Sequence, residues 1–467
     1  MDQAGPLNAP AMAGALLAGP GRPTIDGGLG RAGPGLSDRW GGRSIGDSAV
    51  GPSGRPGPLG RTIDLGLLVP WAIRHRLGLI LGLGIVARLI RCGHDRPYWM
   101  DEAALVAGVK ALRPGGFFGP LGFNQLAPPG FLVAEWLALH LFGDWRVAFR
   151  LVPLAAGIGS LFLFLGVARR CLAPGAVPAA LALFACSDDL IYYSSEAKQY
   201  SSDVVCALAC TWLGLTVGSR PITAARALIW GAAGSAVAWC SHPSVFVLAA
   251  VGTVGLAAEV RSAGWRSIGL WVAVGLAWAA SLAAVHAVAM AQLEQKRGMW
   301  AFWAFAFPPW PPRTLWDASW PARRLILMLV EPLSFGMPLG PRLSMLPALG
   351  CGLLGLVRLW RADRRRFALL ASPFAFAMLA AYLRFYPFHG RLVLFLAPTM
   401  LLAVASGLDR VGQTRGGGFL HGALVALVVA VPAASAAVRA VAPNDRNFPN
   451  PYGDNRDPVI DPLRFPF

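Results

Sequence analysis

The sequence predicts an all-α, polytopic membrane protein. Three observations carry that reading. Hydrophobic residues make up 55% of the chain and charged residues only 14%, against roughly 25% charged in soluble domains. Mean hydropathy is +0.53. Apolar runs alternate with short arginine clusters, as in a chain that crosses a bilayer repeatedly. The formal net charge of +17 does not indicate nucleic acid, because the arginines are divided among connections between apolar segments. The seven cysteines are scattered, form no CxxC pair and read as small apolar residues.

Taken in order, residues 1–65 are rich in Gly, Pro and Ser without an apolar period, and are expected to form a disordered tail. The transmembrane domain is expected over 66–440. Its first span is Leu77–Ile90, and Arg74-His75-Arg76 before it set the N-terminus in the cytoplasm. Just beyond lies Tyr98-Trp99-Met100-Asp101-Glu102, an acidic pair where scarce water makes charge costly. Asp101–Arg113 reads as an amphipathic helix lying on the surface, with Leu105, Val109 and Leu112 on one face and Lys110 and Arg113 off it. Carboxylates also suit a helix N-terminus, so simple capping is the plain alternative to chemistry. The run Gln125–Gly130 opens a second helix, starting at proline, where no donor is needed. That helix reaches Phe142 and is about 21 Å long against an apolar core of about 30 Å. Both helices, 101–142, are therefore expected to be external and juxtamembrane.

With that assignment about eleven spans result. Ten follow the first: 149–168, 175–193, 204–218, 227–240, one ending before Arg261, 268–288, 343–357, 367–383, 392–407 and 419–438. The clusters Arg169-Arg170, Arg220 with Arg226, Arg261 with Arg266, Arg358–Arg366 and Arg410 with Arg415 then share the cytoplasmic side. A long loop, 291–340, and a polar tail, 441–467, fall outside, with no soluble domain expected after the last span. Tryptophans in the loop suit a lid, a sugar-stacking surface or an interfacial belt. The outward polar residues are Asp101, Glu102, Gln125, Glu196, Lys198, Tyr200, Asp203, His242, Lys296, Arg297, His389 and Arg391.

Four motifs in this set carry a family resemblance: Trp99-Met100-Asp101-Glu102, Gln125–Gly130, Tyr192–Tyr200 and Tyr386–Arg391. Over about 75–440 the chain resembles the C superfamily of membrane glycosyltransferases, which use polyprenyl-phosphate sugars. It looks closest to the bacterial mannosyl-, galacturonosyl- and aminoarabinosyl-transferase branch. The resemblance implies transfer of a sugar to a lipid, glycan or protein acceptor on the external face of the inner membrane, without nucleic acid. Asp101 is then the general base and Glu102 orients a neighbour or a metal. Lys198 contacts the donor phosphate, with Arg391 second. Glu196 pairs with Lys198 or meets the acceptor, and Gln125, Tyr200 and His389 complete the substrate contacts. No cofactor is firmly implied; a divalent metal would draw on Asp101, Glu102 and His242, or on His389. Lys198 departs from the arginine of many relatives, trading a bidentate fork for a point charge. Two other classes compete. A transporter or flippase of a lipid-linked sugar would carry inverted repeats, and none is visible. A non-catalytic assembly protein would leave Asp101 replaceable.

Overall fold

The computed structural model describes residues 65–98, 100–216, 222–262, 264–293, 296–335, 341–414 and 417–441, all within one unit, Asp64–Phe467. The expected disordered tail up to residue 64, Trp99, Arg220, Arg415 and the polar tail beyond 441 lie outside the described residues, as do the side chains of Arg261, Lys296 and Arg297. The described residues form helices and turns, with no strand.

Helix α1 (Leu65–Gly93) contains the first expected span. Helices α2 (Met100–Ala111) and α3 (Pro129–Phe142) fall where two short helices were expected. Leu105, Val106 and Val109 of α2 share one buried cluster with Phe131 and Leu132 of α3 and with Phe149. The apolar face of α2 therefore meets protein, where a helix lying on the surface would meet lipid. Lys110 points away and pairs with Asp144 at 2.6 Å.

Helix α4 (Leu151–Cys171) is continuous, but the expected span 175–193 is not. Helix α5 (Val177–Ala185) stops at Cys186, and α6 (Asp188–Tyr193) begins after Ser187, whose φ and ψ are −68° and 120°. Arg88 of α1, fully buried, holds the break. Its Nη1 donates to the carbonyls of Gly84 at 2.9 Å and Ala185 at 3.1 Å. A cation there satisfies an orphan carbonyl and complements the negative end of α5.

Helices α7 (Tyr200–Thr216), α8 (Ala224–Cys240), α9 (Ser244–Ser262) and α10 (Trp265–Gln292) follow. The long loop holds α11 (Lys296–Phe302), α12 (Leu315–Ala318) and α13 (Trp320–Val330). Trp300 Nε1 ties the loop to the carbonyl of Arg384 at 2.8 Å, and the N–H of Phe388 donates to Ala306 at 3.1 Å. Helices α14 (Pro341–Ala362) and α15 (Arg364–Tyr382) are separated by Asp363, which caps α15 by accepting from the N–H groups of Arg365 and Arg366, each at 3.0 Å. A 3₁₀ segment, Gly390–Leu396, leads into α16 (Ala397–Gly412). Helices α17 (Gly418–Val425) and α18 (Val431–Val441) are joined by a π-helical turn, Ala426–Ala430. Pro432, at the start of α18, has no N–H for a regular ladder.

Among the described residues, five stretches are long and apolar enough to cross a membrane: Ala148–Cys171, Trp265–Gln292, Met345–Ala362, Gly390–Gly412 and Gly418–Val441. Two of them, through α14 and α16, approach so closely that their backbones touch. A Cβ on Gly355 would stand 1.7 Å from the carbonyl oxygen of Ala403, and one on Gly407 would stand 1.9 Å from that of Cys351. Small residues at the crossing are what helices in lipid use to pack without a hydrophobic drive between them.

Candidate active site

The first turn of α2 presents two adjacent carboxylates to different surroundings. Glu102 is fully buried. Its Oε2 accepts from Arg96 Nη1 at 2.8 Å, and its Oε1 accepts from Arg150 Nη2 at 3.3 Å and from the N–H of Ala197 at 2.9 Å. Arg96 also donates to the carbonyl of Ser195 at 3.3 Å. One side chain thus joins the segment before α2, the start of α4 and the turn after α6. Ser195 is itself buried in this joint.

Asp101 keeps 14% of its side-chain surface exposed. Its Oδ1 stands 2.9 Å from Lys198 Nζ and its Oδ2 3.1 Å from Arg391 Nη2. Gln125 Oε1 accepts from the same Lys198 ammonium at 2.5 Å. The guanidinium of Arg391 lies over the ring of Tyr200, 5.4 Å from its centroid. Gly390, just before Arg391, adopts φ +48°, and a Cβ there would stand 2.8 Å from the Glu331 carboxylate. Glycine alone suits both conditions.

Burial pushes the Asp101 carboxyl up, but the neighbouring Lys198 and Arg391 charges outweigh it and hold the group below the usual carboxylate range. Glu196, buried in the same turn, moves the other way. Burial, followed by the nearby Glu102 charge, pushes it up to about 8. Around Asp101, Glu102 and Glu196 stand four cations, Arg96, Arg150, Lys198 and Arg391, so the cluster as a whole favours an anion.

The expected residues are therefore brought together in part. Asp101, Gln125, Lys198, Tyr200 and Arg391 form one constellation, and Glu196 lies within its field. Lys198, one of two partners expected for Glu196, reaches Asp101 and Gln125. His389 turns to the long loop, where its Nδ1 stands 3.0 Å from Arg324 Nη1 and its ring meets Phe305 edge-on. His242 lies in the α8–α9 connection, where burial and then His286 hold its imidazole down at about 4. Among the described residues no three His, Cys, Asp or Glu side chains come together as a metal would need. The expected metal set of Asp101, Glu102 and His242 is thus not assembled: two cations hold each carboxylate, and the donors do not fit a divalent ion.

Arg96, Arg150 and Arg324 were not among the expected site residues. A signal for the first two was present. On the topology expected from the sequence, both fall on the side of the membrane where arginine is disfavoured, and an arginine expected there needs a partner.

No family model and no curated protein matches the sequence. Among solved structures the chain is similar to ArnT from Cupriavidus metallidurans. Against the form bound to undecaprenyl phosphate it is 17% identical with a TM-score of 0.49, covering 80% of this chain and 69% of that one. Against the apo form the values are 16% and 0.46, with the same coverage. It is also similar to the Archaeoglobus fulgidus oligosaccharyltransferase in complex with Zn and sulfate, at 15% identity and a TM-score of 0.48, covering 78% of this chain and 53% of that one. At these identities and scores the likeness carries no conclusion about chemistry, which rests on the side chains around Asp101.

Proposed function

We propose that the protein is an integral-membrane glycosyltransferase that moves a sugar from a polyprenyl-phosphate donor to an acceptor hydroxyl at the outer face of the membrane. One observation carries the reading. A single solvent-reaching carboxylate, Asp101, is held between Lys198 and Arg391 within a cluster rich in cations. A phosphate-bearing donor and a proton acceptor are what such a pairing accommodates.

The resting arrangement has a chemical consequence. While both cations sit on Asp101, its carboxylate is a weak base. A donor phosphate entering the site competes for Lys198 and Arg391. As they turn to it, burial acts on Asp101 with less opposition and its basicity rises. Asp101 then takes the proton of the acceptor hydroxyl, and the acceptor oxygen bonds to the anomeric carbon. The bond from that carbon to the phosphate oxygen breaks, and the departing phosphate gains a negative charge that Lys198 and Arg391 neutralise. Gln125 orients Lys198, and Tyr200 orients Arg391. Glu102 is a positioning residue, since its oxygens are committed to Arg96, Arg150 and Ala197. Glu196, neutral at pH 7, adds no charge against the phosphate.

The test is to incubate purified protein with a panel of polyprenyl-phosphate sugars and a membrane extract supplying acceptors. One donor should yield free polyprenyl phosphate and newly bonded sugar in equal amounts. Movement of intact donor across vesicles without cleavage is the transporter's outcome, and it would remove this reading.

A further inference from the structure

The connection from α2 to α3 reaches the candidate site through a strained turn. Three successive residues, Gly122, Phe123 and Asn124, adopt φ of +75°, +52° and +53°. Glycine accepts that region freely and asparagine tolerates it, but phenylalanine is disfavoured there. Phe123 gains no burial in return, because it is 70% exposed. What the turn does is deliver Gln125. Its Nε2 donates back to the carbonyl of Phe123 at 3.5 Å, and its Oε1 faces Lys198 Nζ at 2.5 Å. Backbone strain of this kind persists only where the surroundings hold it, and it gathers at functional sites.

The groups that hold it lie just beyond. Residues 125–128 form neither helix nor turn, so their backbone groups need other partners. Gln199 Nε2 donates to the carbonyl of Leu126 at 3.3 Å, and the N–H of Ala127 donates to Gln292 Oε1 at 3.2 Å. Ala127 and Gln292 are both fully buried. Nε2 of Gln292 meets no partner, so Ala127 fixes the amide, its oxygen toward the N–H. Pro128 and Pro129 then stiffen the chain. Gly130 seats it on the end of α8, where a Cβ would stand 2.9 Å from the carbonyl oxygen of Trp239. Lys198, Gln199 and Gln292 thus grip residues 125, 126 and 127 in turn.

We propose that Gln292, the last residue of α10, is a positioning residue for the donor phosphate. It holds Ala127, the held strap keeps Gln125 in place against the strain of the turn, and Gln125 aims Lys198. Gln199 assists through Leu126. The inference rests on Lys198 as the phosphate contact of the proposed transfer.

The affinity of the purified full chain for undecaprenyl phosphate, with undecaprenol as control, tests it without requiring transfer. Gln292→Leu removes the acceptor for Ala127 and should weaken binding of the phosphate about tenfold, the scale of one hydrogen bond, with binding of undecaprenol unchanged. Gln292→Glu keeps an oxygen for the N–H and should restore most of the affinity. In a Lys198→Ala background Gln292→Leu should add nothing, because the lysine through which it acts is gone. Gln199→Met, which frees Leu126 and leaves Ala127 held, should repeat the pattern at smaller size and serves if Gln292→Leu does not fold. An unchanged phosphate affinity in Gln292→Leu, or a loss that multiplies with that of Lys198→Ala, would overturn the inference and leave the transfer reading standing. If the unaltered protein does not prefer undecaprenyl phosphate to undecaprenol, the transfer reading falls, and this inference with it.

Discussion

Asp101 and Glu102 are neighbours in one helical turn, and each meets two cations, yet their surroundings make them opposites. Glu102 is sealed, and its partners Arg96 and Arg150 are themselves buried. It also accepts a backbone N–H, so its oxygens are committed. Asp101 keeps 14% of its side-chain surface exposed, although its partners Lys198 and Arg391 are buried as well. Breaking a buried pair by removing one partner leaves an uncompensated charge, which makes the Glu102 ion pairs permanent. A carboxylate that still reaches solvent can hand its cations to an incoming anion without leaving a buried charge unpaired. The pair therefore separates a fixed joint from an exchangeable one, and the exchangeable one is where a charged substrate can enter.

The sharpest way to break this comparison is Asp101→Asn. Asn keeps the size and caps a helix about as well, but it cannot take a proton. Transfer should fall by about 10²-fold or more. Lys198 and Arg391 lose their shared anion, so the melting temperature should drop slightly while membrane insertion is retained. Transfer near the normal rate by well-inserted protein would remove Asp101 as the base. Lys198→Ala should come next, with donor use reduced roughly tenfold to a hundredfold, the loss of one charged hydrogen bond. Lys198→Arg should restore part of it. Initial rates across donor concentrations separate the two residues, because a cation that holds the phosphate in the ground state acts on KM, whereas the base acts on kcat.

Glu102→Gln sharpens the other side. It leaves Arg96 and Arg150 buried with a neutral partner, and should cost about 3–5 kcal/mol of stability, seen as a lower melting temperature and a lower folded yield. Per folded molecule the loss of transfer should be smaller than for Asp101→Asn, about tenfold, because Glu102 acts through placement. If Gln at 102 melts like the unaltered protein and loses transfer as fully as Asn at 101, the division of roles is wrong.

Much of this was legible in the sequence. Apolar runs marked an all-α chain with membrane-length helices, because the bilayer as solvent demands both. The motifs singled out Asp101, Gln125, Lys198, Tyr200 and Arg391, and the fold brings these side chains together. What stayed hidden was of two kinds. The break at Ser187 depends on Arg88 donating to Ala185 across a distance in sequence, and no local pattern announces it. The separation of Asp101 from Glu102 depends on which cations lie opposite, and Arg96 and Arg150 approach from different segments. The expected metal set failed for the same reason. Carboxylates and histidines of the right type were present, but the cations and His286 that face them are set by the tertiary fold.

The smallest effect expected on transfer is that of Glu196→Gln, and its pH dependence is distinctive. With its carboxyl pushed up to about 8 by burial and then by Glu102, Glu196 is expected to hold its proton at pH 7. The neutral amide replaces a neutral acid, so transfer at pH 7 should stay within about threefold of normal. Stability behaves differently. In the unfolded chain the group ionises near 4.3, so between that value and about 8 folding takes up a proton. A raised acid of this kind stabilises fully below the unfolded value, and the contribution declines as pH rises through the window. Gln has no such dependence. The melting temperature of Glu196→Gln should therefore gain on the unaltered protein from pH 5 to pH 8 and level off above it. Asp101 supplies the opposite sign. Its depressed carboxyl stabilises above the ordinary range near 3.9 and loses that contribution on acidification, so Asp101→Asn should narrow its deficit below pH 4. Melting curves of the three proteins from pH 3.5 to pH 9 check both trends. A constant gap between Glu196→Gln and the unaltered protein across that range would mean that Glu196 is already ionised in the fold, and that the site holds one more negative charge against a phosphate than the proposed chemistry allows.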